Sequence, residues 1–251
     1  MSASPRPGNG ASQAVLQVLE QARVVPLITL ADANAASPLR EALAAAELPL
    51  AEVALRTPAA GEALRRLAGD PGLLVGAGTV ITADQAEFAA GAGARFIVSP
   101  GFSPAVVHRS RELGLLAIPG IATATELQAA YEAGLRLVKF FPAEPTGGTR
   151  TLQALAAVYP QVQFLPSGGI TAANLASYLH RPEVLAVSGS WMVPEKAVLA
   201  GDFATVTQLA TQARTIASLA PSPTRRALAP VYLSPPDPAP GSVPGPASQG
   251  A

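Results

Sequence analysis

The stretch LRLVKFFPAE, residues 135 to 144, sets Lys139 among Leu137, Val138, Phe140 and Phe141, in what reads as a buried strand. Only two lysines, Lys139 and Lys196, stand against fifteen arginines, so a lysine inside an apolar run does not follow from composition. An ammonium taken out of water without a partner is costly; it either pairs with a carboxylate or loses its proton and becomes a usable amine. The run LAEVALR (50 to 56) offers Glu52 as that carboxylate, with Arg56 four residues on. Two readings stand side by side. One is a structural ion pair between Lys139 and Glu52. The other is a Schiff-base lysine: a neutral amine attacks a ketone, and the iminium draws electrons out of an adjacent carbon–carbon bond without a metal.

A second cluster sits near the end of the folded pattern. FLPSGGI (164 to 170) places Ser167, Gly168 and Gly169 just before a helix predicted to start at Thr171, and a later apolar run ends in Ser188-Gly189-Ser190. Glycines let the backbone approach an anion, and free N–H groups at a helix start favour negative charge. A Gly-Gly pair alone is a turn signal; after the seventh strand of a barrel it points to a phosphate cradle. The glycines of VGAGT (75 to 79) do not make a dinucleotide fingerprint, because Gly76-Ala77-Gly78 is followed by Thr79-Val80-Ile81. They read instead as room left in a barrel for a substrate, with Thr79 at the rim.

These groups need elements to position them. Eight apolar or β-branched runs alternate with helical patterns: VVPLITL (24 to 30), LAEVALR (50 to 56), LLVGAGT (73 to 79), ARFIVSP (94 to 100), LLAIPGI (115 to 121), LRLVKFF (135 to 141), VQFLPSG (162 to 168) and VLAVSGS (184 to 190). Helix starts are predicted between them, at Thr57-Pro58 and Ser103-Pro104 with proline in the first turn, and at the capping boxes Thr82 to Gln85 and Thr123 to Glu126. Eight strands that each feed a helix predict a closed (β/α)8 TIM barrel with an extra N-terminal helix; a doubly wound open sheet is the runner-up. Period-2 alternation then turns Glu52, Arg56 and Lys139 into the barrel, at the strand ends where barrels carry their chemistry.

Composition bounds the rest. The chain has 251 residues, 17 basic and 17 acidic, and no basic run longer than Arg225-Arg226, which argues against nucleic acid and anionic membrane partners. No apolar run reaches the roughly 18 to 20 residues needed to span a bilayer, and MSASPRPGNG lacks the apolar stretch of a signal peptide, so a cytoplasmic protein is expected. With no cysteine and only His108 and His180, both read as surface or helix residues, no metal site is expected. Residues 220 to 251 carry nine of the 25 prolines and read as a disordered tail, residues 1 to 10 as a disordered start, and residues 11 to 219 as the folded domain.

EVALRT (52 to 57), VGAGTV (75 to 80), SPG (99 to 101), PGIAT (119 to 123), VKFFPAE (138 to 144), PSGGI (166 to 170) and SGSWMVP (188 to 194) together resemble the 2-keto-3-deoxy-6-phosphogluconate aldolase family, which includes 4-hydroxy-2-oxoglutarate aldolase activity. The resemblance runs in order from about residue 20 to 215. It implies a class I aldolase, a homotrimer, that cleaves the phosphorylated 2-keto acid to pyruvate and glyceraldehyde 3-phosphate with no cofactor. It also implies Lys139 as the Schiff-base residue and Glu52 as the general acid/base, with Arg56 on the pyruvate carboxylate. Thr79, Pro100 and Phe141 would line the pyruvyl pocket, and Ser167, Gly168, Gly169 and Ser190 would hold the phosphate. Ala54 and Ser167 stand where many members have threonine, and SGSW replaces the commoner GGSW or GGTW. Three alternatives remain: an aldolase for the galactonate epimer, another phosphate-binding barrel enzyme such as an isomerase or decarboxylase, and a non-catalytic relative. The last should have lost the lysine or the glutamate, and both are present.

Overall fold

Near-continuous apolar runs can be strands only where both of their faces are covered. The structure, a computed structural model describing residues 9 to 223, covers them with helices outside and side chains of the facing strands inside. The strands are β1 (Val24–Ile28), β2 (Leu50–Ala54), β3 (Leu74–Gly78), β4 (Phe96–Val98), β5 (Leu116–Ile118), β6 (Gly120–Ile121), β7 (Leu137–Phe140), β8 (Gln163–Pro166) and β9 (Val187–Gly189). The helices are α1 (Asn9–Ala22), α2 (Ala36–Ala45), α3 (Ala60–Ala68), α4 (Ala83–Gly91), α5 (Pro104–Glu112), α6 (Ala124–Glu132), α7 (Gly148–Val158), α8 (Ala172–Leu179), α9 (Glu195–Leu199) and α10 (Phe203–Leu219).

All pairing is parallel. One sheet runs β5-β4-β3-β2-β1-β9 and the other β6-β7-β8. The bridges Phe164↔Val184 and Ser167↔Ser188 join β8 to the β9 end, and β5 and β6 are two halves of one run, so the eight predicted runs close into a ring. That closure distinguishes the barrel from the doubly wound alternative. The fifth run divides at Pro119, which has no N–H to give a ladder; its carbonyl still accepts the Lys139 N–H at 2.8 Å. Gly120, just beyond, has no Cβ because one would lie 2.1 Å from the Pro100 carbonyl oxygen. The extra helix α1 packs against β1, β2 and β5, strands from different parts of the ring, and so covers one end of the barrel. That is the end where the strands begin, since Val18 shares a cavity with Pro49, Leu74 and Arg95.

The helix starts follow their caps, with one exception. Ser103 accepts from the Val106 N–H with Pro104 in the first turn, and Thr123 and Glu126 form a complete capping box. Thr82 accepts from the Gln85 N–H, but the Gln85 side chain takes the Ile81 N–H rather than that of Thr82, so the box is half made. Thr57-Pro58 does not open α3. The helix begins at Ala60 without a side-chain cap, because the Thr57 hydroxyl donates to the Leu30 carbonyl and ties the loop after β2 to the end of the first run.

The described chain is longer than the sequence boundaries at both ends. Asn9 and Gly10 belong to α1, and Pro223 is buried beyond the end of α10. Residues 1 to 8 and 224 to 251, with the disorder expected of them, lie outside the described residues. Among the described residues no helix is long and apolar enough to cross a membrane. His108 lies in α5 and His180 follows α8, both exposed.

Candidate functional site

The alternation along β2 and β7 turns Glu52 and Lys139 to the same interior, and the ring brings them together across it. Lys139 is 3% exposed and Glu52 fully buried, with Lys139 Nζ 3.5 Å from Glu52 Oε1. Lys139 lies level with Gly120 on one side and Leu165 on the other. Its ammonium also faces the Phe141 ring at 5.1 Å from the centroid, a cation–π distance.

Glu52 is held from two further directions. The Ser188 hydroxyl, fully buried on β9, donates to Glu52 Oε2 at 2.8 Å. Gly78 on neighbouring β3 makes the space: a Cβ there would stand 2.4 Å from Glu52 Oε1. Gly76 makes way for the Phe96 ring, 2.3 Å from its missing Cβ. The missing Cβ atoms of VGAGT accommodate protein side chains, the Phe96 ring at Gly76 and the Glu52 carboxylate at Gly78, which reach across β3 from β4 and β2.

The alternation does not carry Arg56 into the barrel, because β2 ends at Ala54; Arg56 is exposed in the turn that follows, and its Nε donates to the Thr79 hydroxyl at 2.9 Å. Thr79 takes φ of 59°, a conformation rare for a β-branched residue. Backbone strain of this kind gathers at functional sites and persists only where the surroundings hold it. Pro100 follows β4, half-buried, with its carbonyl seated on Gly120.

The glycine cluster adjoins this pocket. Ser167 is buried just past β8 and pairs with Ser188. Gly168 and Gly169 have φ of 98° and 79°, which only glycine adopts freely. A Cβ on Gly168 would touch the Phe141 ring at 3.2 Å, so Phe141 borders both Lys139 and the glycine turn. Thr171 is the N-cap of α8, where the Asn174 side chain accepts the Thr171 N–H at 2.8 Å. Ser190 is exposed in the loop after β9, whose start the Ser167↔Ser188 bridge sets beside the glycine turn. Lys196 lies in α9, beyond the last strand.

Ser188 is the residue that sequence reasoning missed as part of the site. Its signal was present, a hydroxyl in the middle of an apolar run at the position where SGSW departs from GGSW. Glu144 and Tyr178 were also passed over; the Tyr178 hydroxyl donates to Glu144 Oε1 beside the glycine turn.

The arrangement has known counterparts. The family described as KDPG and KHG aldolase matches residues 15–209. The 2-dehydro-3-deoxy-phosphogluconate aldolase of Treponema pallidum (strain Nichols) is 47% identical over 199 residues, 79% of this chain and 95% of that protein. Among solved structures, the 2-keto-3-deoxy-6-phosphogluconate aldolase of Zymomonas mobilis ZM4 with 3-phosphoglycerate is similar at TM-score 0.76 and 39% identity, covering 82% of this chain and 97% of that one. The Legionella pneumophila KDPG aldolase, with pyruvate captured as a covalent carbinolamine, is similar at TM-score 0.76 and 40% identity, covering 78% and 96%. With its barrel, its buried lysine–glutamate pair and these relatives, the chain belongs to the KDPG and KHG aldolase family.

Proposed function

We propose that this chain is a class I aldolase that cleaves 2-keto-3-deoxy-6-phosphogluconate to pyruvate and glyceraldehyde 3-phosphate through an iminium on Lys139. The observation that carries the reading is the burial of Lys139 against Glu52 inside the barrel of a family of carbon–carbon lyases. The covalent carbinolamine of pyruvate in the Legionella relative supports a lysine adduct as the chemistry.

Glu52 takes the ammonium proton, and the neutral Nζ adds to the C2 ketone. The carbinolamine hydroxyl takes that proton back from Glu52 and leaves as water, which gives the iminium and restores the Glu52 carboxylate. Glu52 then accepts the C4 hydroxyl proton while the C3–C4 bond breaks; its electrons pass to the iminium, glyceraldehyde 3-phosphate departs, and an enamine stays on Lys139. Protonation at C3 and hydrolysis release pyruvate and restore the amine. Arg56 anchors the carboxylate end with Thr79, while Pro100 and Phe141 wall the pyruvyl part. Ser167, Gly168 and Gly169, in the turn before α8, and Ser190, in the loop after β9, anchor the phosphate. The same pyruvyl site serves 4-hydroxy-2-oxoglutarate, released as pyruvate and glyoxylate. Assembly as a homotrimer and a cytoplasmic location complete the proposal; light scattering of the purified chain tests the first.

Borohydride added in the presence of pyruvate reduces the iminium to a stable secondary amine, and peptide mass mapping locates it. The adduct is expected on Lys139. An adduct on Lys196, or none, overturns the assignment and returns the pair to the structural role, as would suit an isomerase or a decarboxylase.

A further inference from the structure

Glu144, the last residue of VKFFPAE, has no part in the reaction drawn above, yet it stands against the glycine turn. Its N–H donates to the Gly168 carbonyl at 3.0 Å, and its Cβ lies where a Cβ on Gly169 would come within 2.6 Å. A carboxylate rooted there would repel a phosphate dianion. The side chain is turned aside instead. Tyr178, fully buried on α8, donates its hydroxyl to Glu144 Oε1. That oxygen lies 3.2 Å from where a Gly148 Cβ would be, in the first turn of α7, with the Tyr178 hydroxyl 3.3 Å from the same point. The absence of a side chain on Gly148 thus leaves the gap in which the two oxygens meet. The N-terminal end of an eleven-residue helix is also where a carboxylate is favoured. Burial first, and then the Glu144 carboxylate, push the Tyr178 phenol well above its ordinary range, so it remains a donor at neutral pH.

We propose that Tyr178 is a positioning residue for phosphate recognition: by holding the Glu144 carboxylate at the start of α7, it keeps that charge out of the cradle of Gly168 and Gly169. It thereby sets the preference for phosphorylated over unphosphorylated 2-keto acids. The proposal rests on the reading of that cradle as the phosphate site.

The test compares 2-keto-3-deoxy-6-phosphogluconate with 4-hydroxy-2-oxoglutarate in the full chain, for the wild type, Tyr178→Phe, Glu144→Gln and the double variant. Tyr178→Phe keeps the ring and its packing and frees the carboxylate. It is expected to raise KM for the phosphorylated acid about tenfold, with kcat and the unphosphorylated acid within about twofold of wild type. Glu144→Gln removes the charge, so the double variant should recover the wild-type KM. Equal losses on both substrates, an unchanged KM in Tyr178→Phe, or a double variant as poor as Tyr178→Phe would each overturn the proposal. A wild type without preference for the phosphorylated acid would instead remove the phosphate reading of the cradle, a separate outcome.

Discussion

The Ser188 hydroxyl occupies Glu52 Oε2 at 2.8 Å, which leaves Oε1 as the oxygen that faces Lys139 Nζ. A carboxylate on a flexible stem can rotate and exchange its oxygens; a buried donor on one of them fixes which oxygen faces the amine. The hydrogen bond comes from β9 and the carboxylate from β2, two strands apart in the ring, with β1 between them.

Replacing Ser188 by Ala removes one oxygen from a fully buried site and adds nothing, so the barrel should fold normally. A hydrogen bond to a charged group contributes about 1.5 to 3 kcal/mol, so kcat is expected to fall roughly ten- to a hundredfold while borohydride still traps pyruvate on Lys139. Glu52→Gln is the stronger change and should lower kcat by about 10²-fold or more, the usual contribution of a positioned acid/base. Steady-state kinetics beside a trapping assay decides. Wild-type kcat in Ser188→Ala would make that hydroxyl structural, and near-normal turnover in folded Glu52→Gln would do the same for the carboxylate.

Gly78 gives a different handle on the same carboxylate. An added Cβ would stand 2.4 Å from Oε1 and 2.8 Å from Cγ, so Gly78→Ala must displace the Glu52 side chain. Overpacking of a core costs about 1 to 3 kcal/mol in stability, and the displaced carboxylate should cost kcat about as much as Glu52→Gln does. Thermal denaturation and kcat measured together test this. A variant with lowered Tm and unchanged kcat would show that Glu52 can move without consequence for turnover.

Much of this was legible in the chain, for reasons of periodicity. Strands buried on both faces read as unbroken apolar runs, which is why all eight were found, and the parity of Glu52 on β2 and Lys139 on β7 sufficed to turn both inward. What escaped depends on contacts that no period encodes. Gly76 and Gly78 read as open space until the curvature of the ring put Phe96 and Glu52 into it. Thr57 has the chemistry of an N-cap, but a long-range bond to the Leu30 carbonyl claimed its hydroxyl. Pro119 divides a run that its apolar neighbours made look continuous. Glu144 and Tyr178 lie 34 residues apart, on the turn after β7 and on α8, and only the tertiary fold brings their oxygens together.

Which aldol acceptor is preferred follows from how the far end of the substrate is held. Two glycines with φ of 98° and 79° form the turn just before α8, and Ser190 lies exposed in the loop after β9. Charge-assisted bonds to a phosphate contribute about 1.5 to 3 kcal/mol each. If two of them hold the phosphate, the phosphorylated acid is expected at least about 10²-fold ahead of 4-hydroxy-2-oxoglutarate in kcat/KM, because the shorter acid would leave the donors unused. Pyruvate release followed with lactate dehydrogenase, side by side on 2-keto-3-deoxy-6-phosphogluconate, its galactonate epimer and 4-hydroxy-2-oxoglutarate, measures this directly. Equal values on the unphosphorylated acid would take the phosphate role away from Gly168, Gly169 and Ser190. Faster turnover of the galactonate epimer would place the C4 hydroxyl on a side of the pocket where Glu52 Oε1 is not its proton acceptor, and would reassign that step.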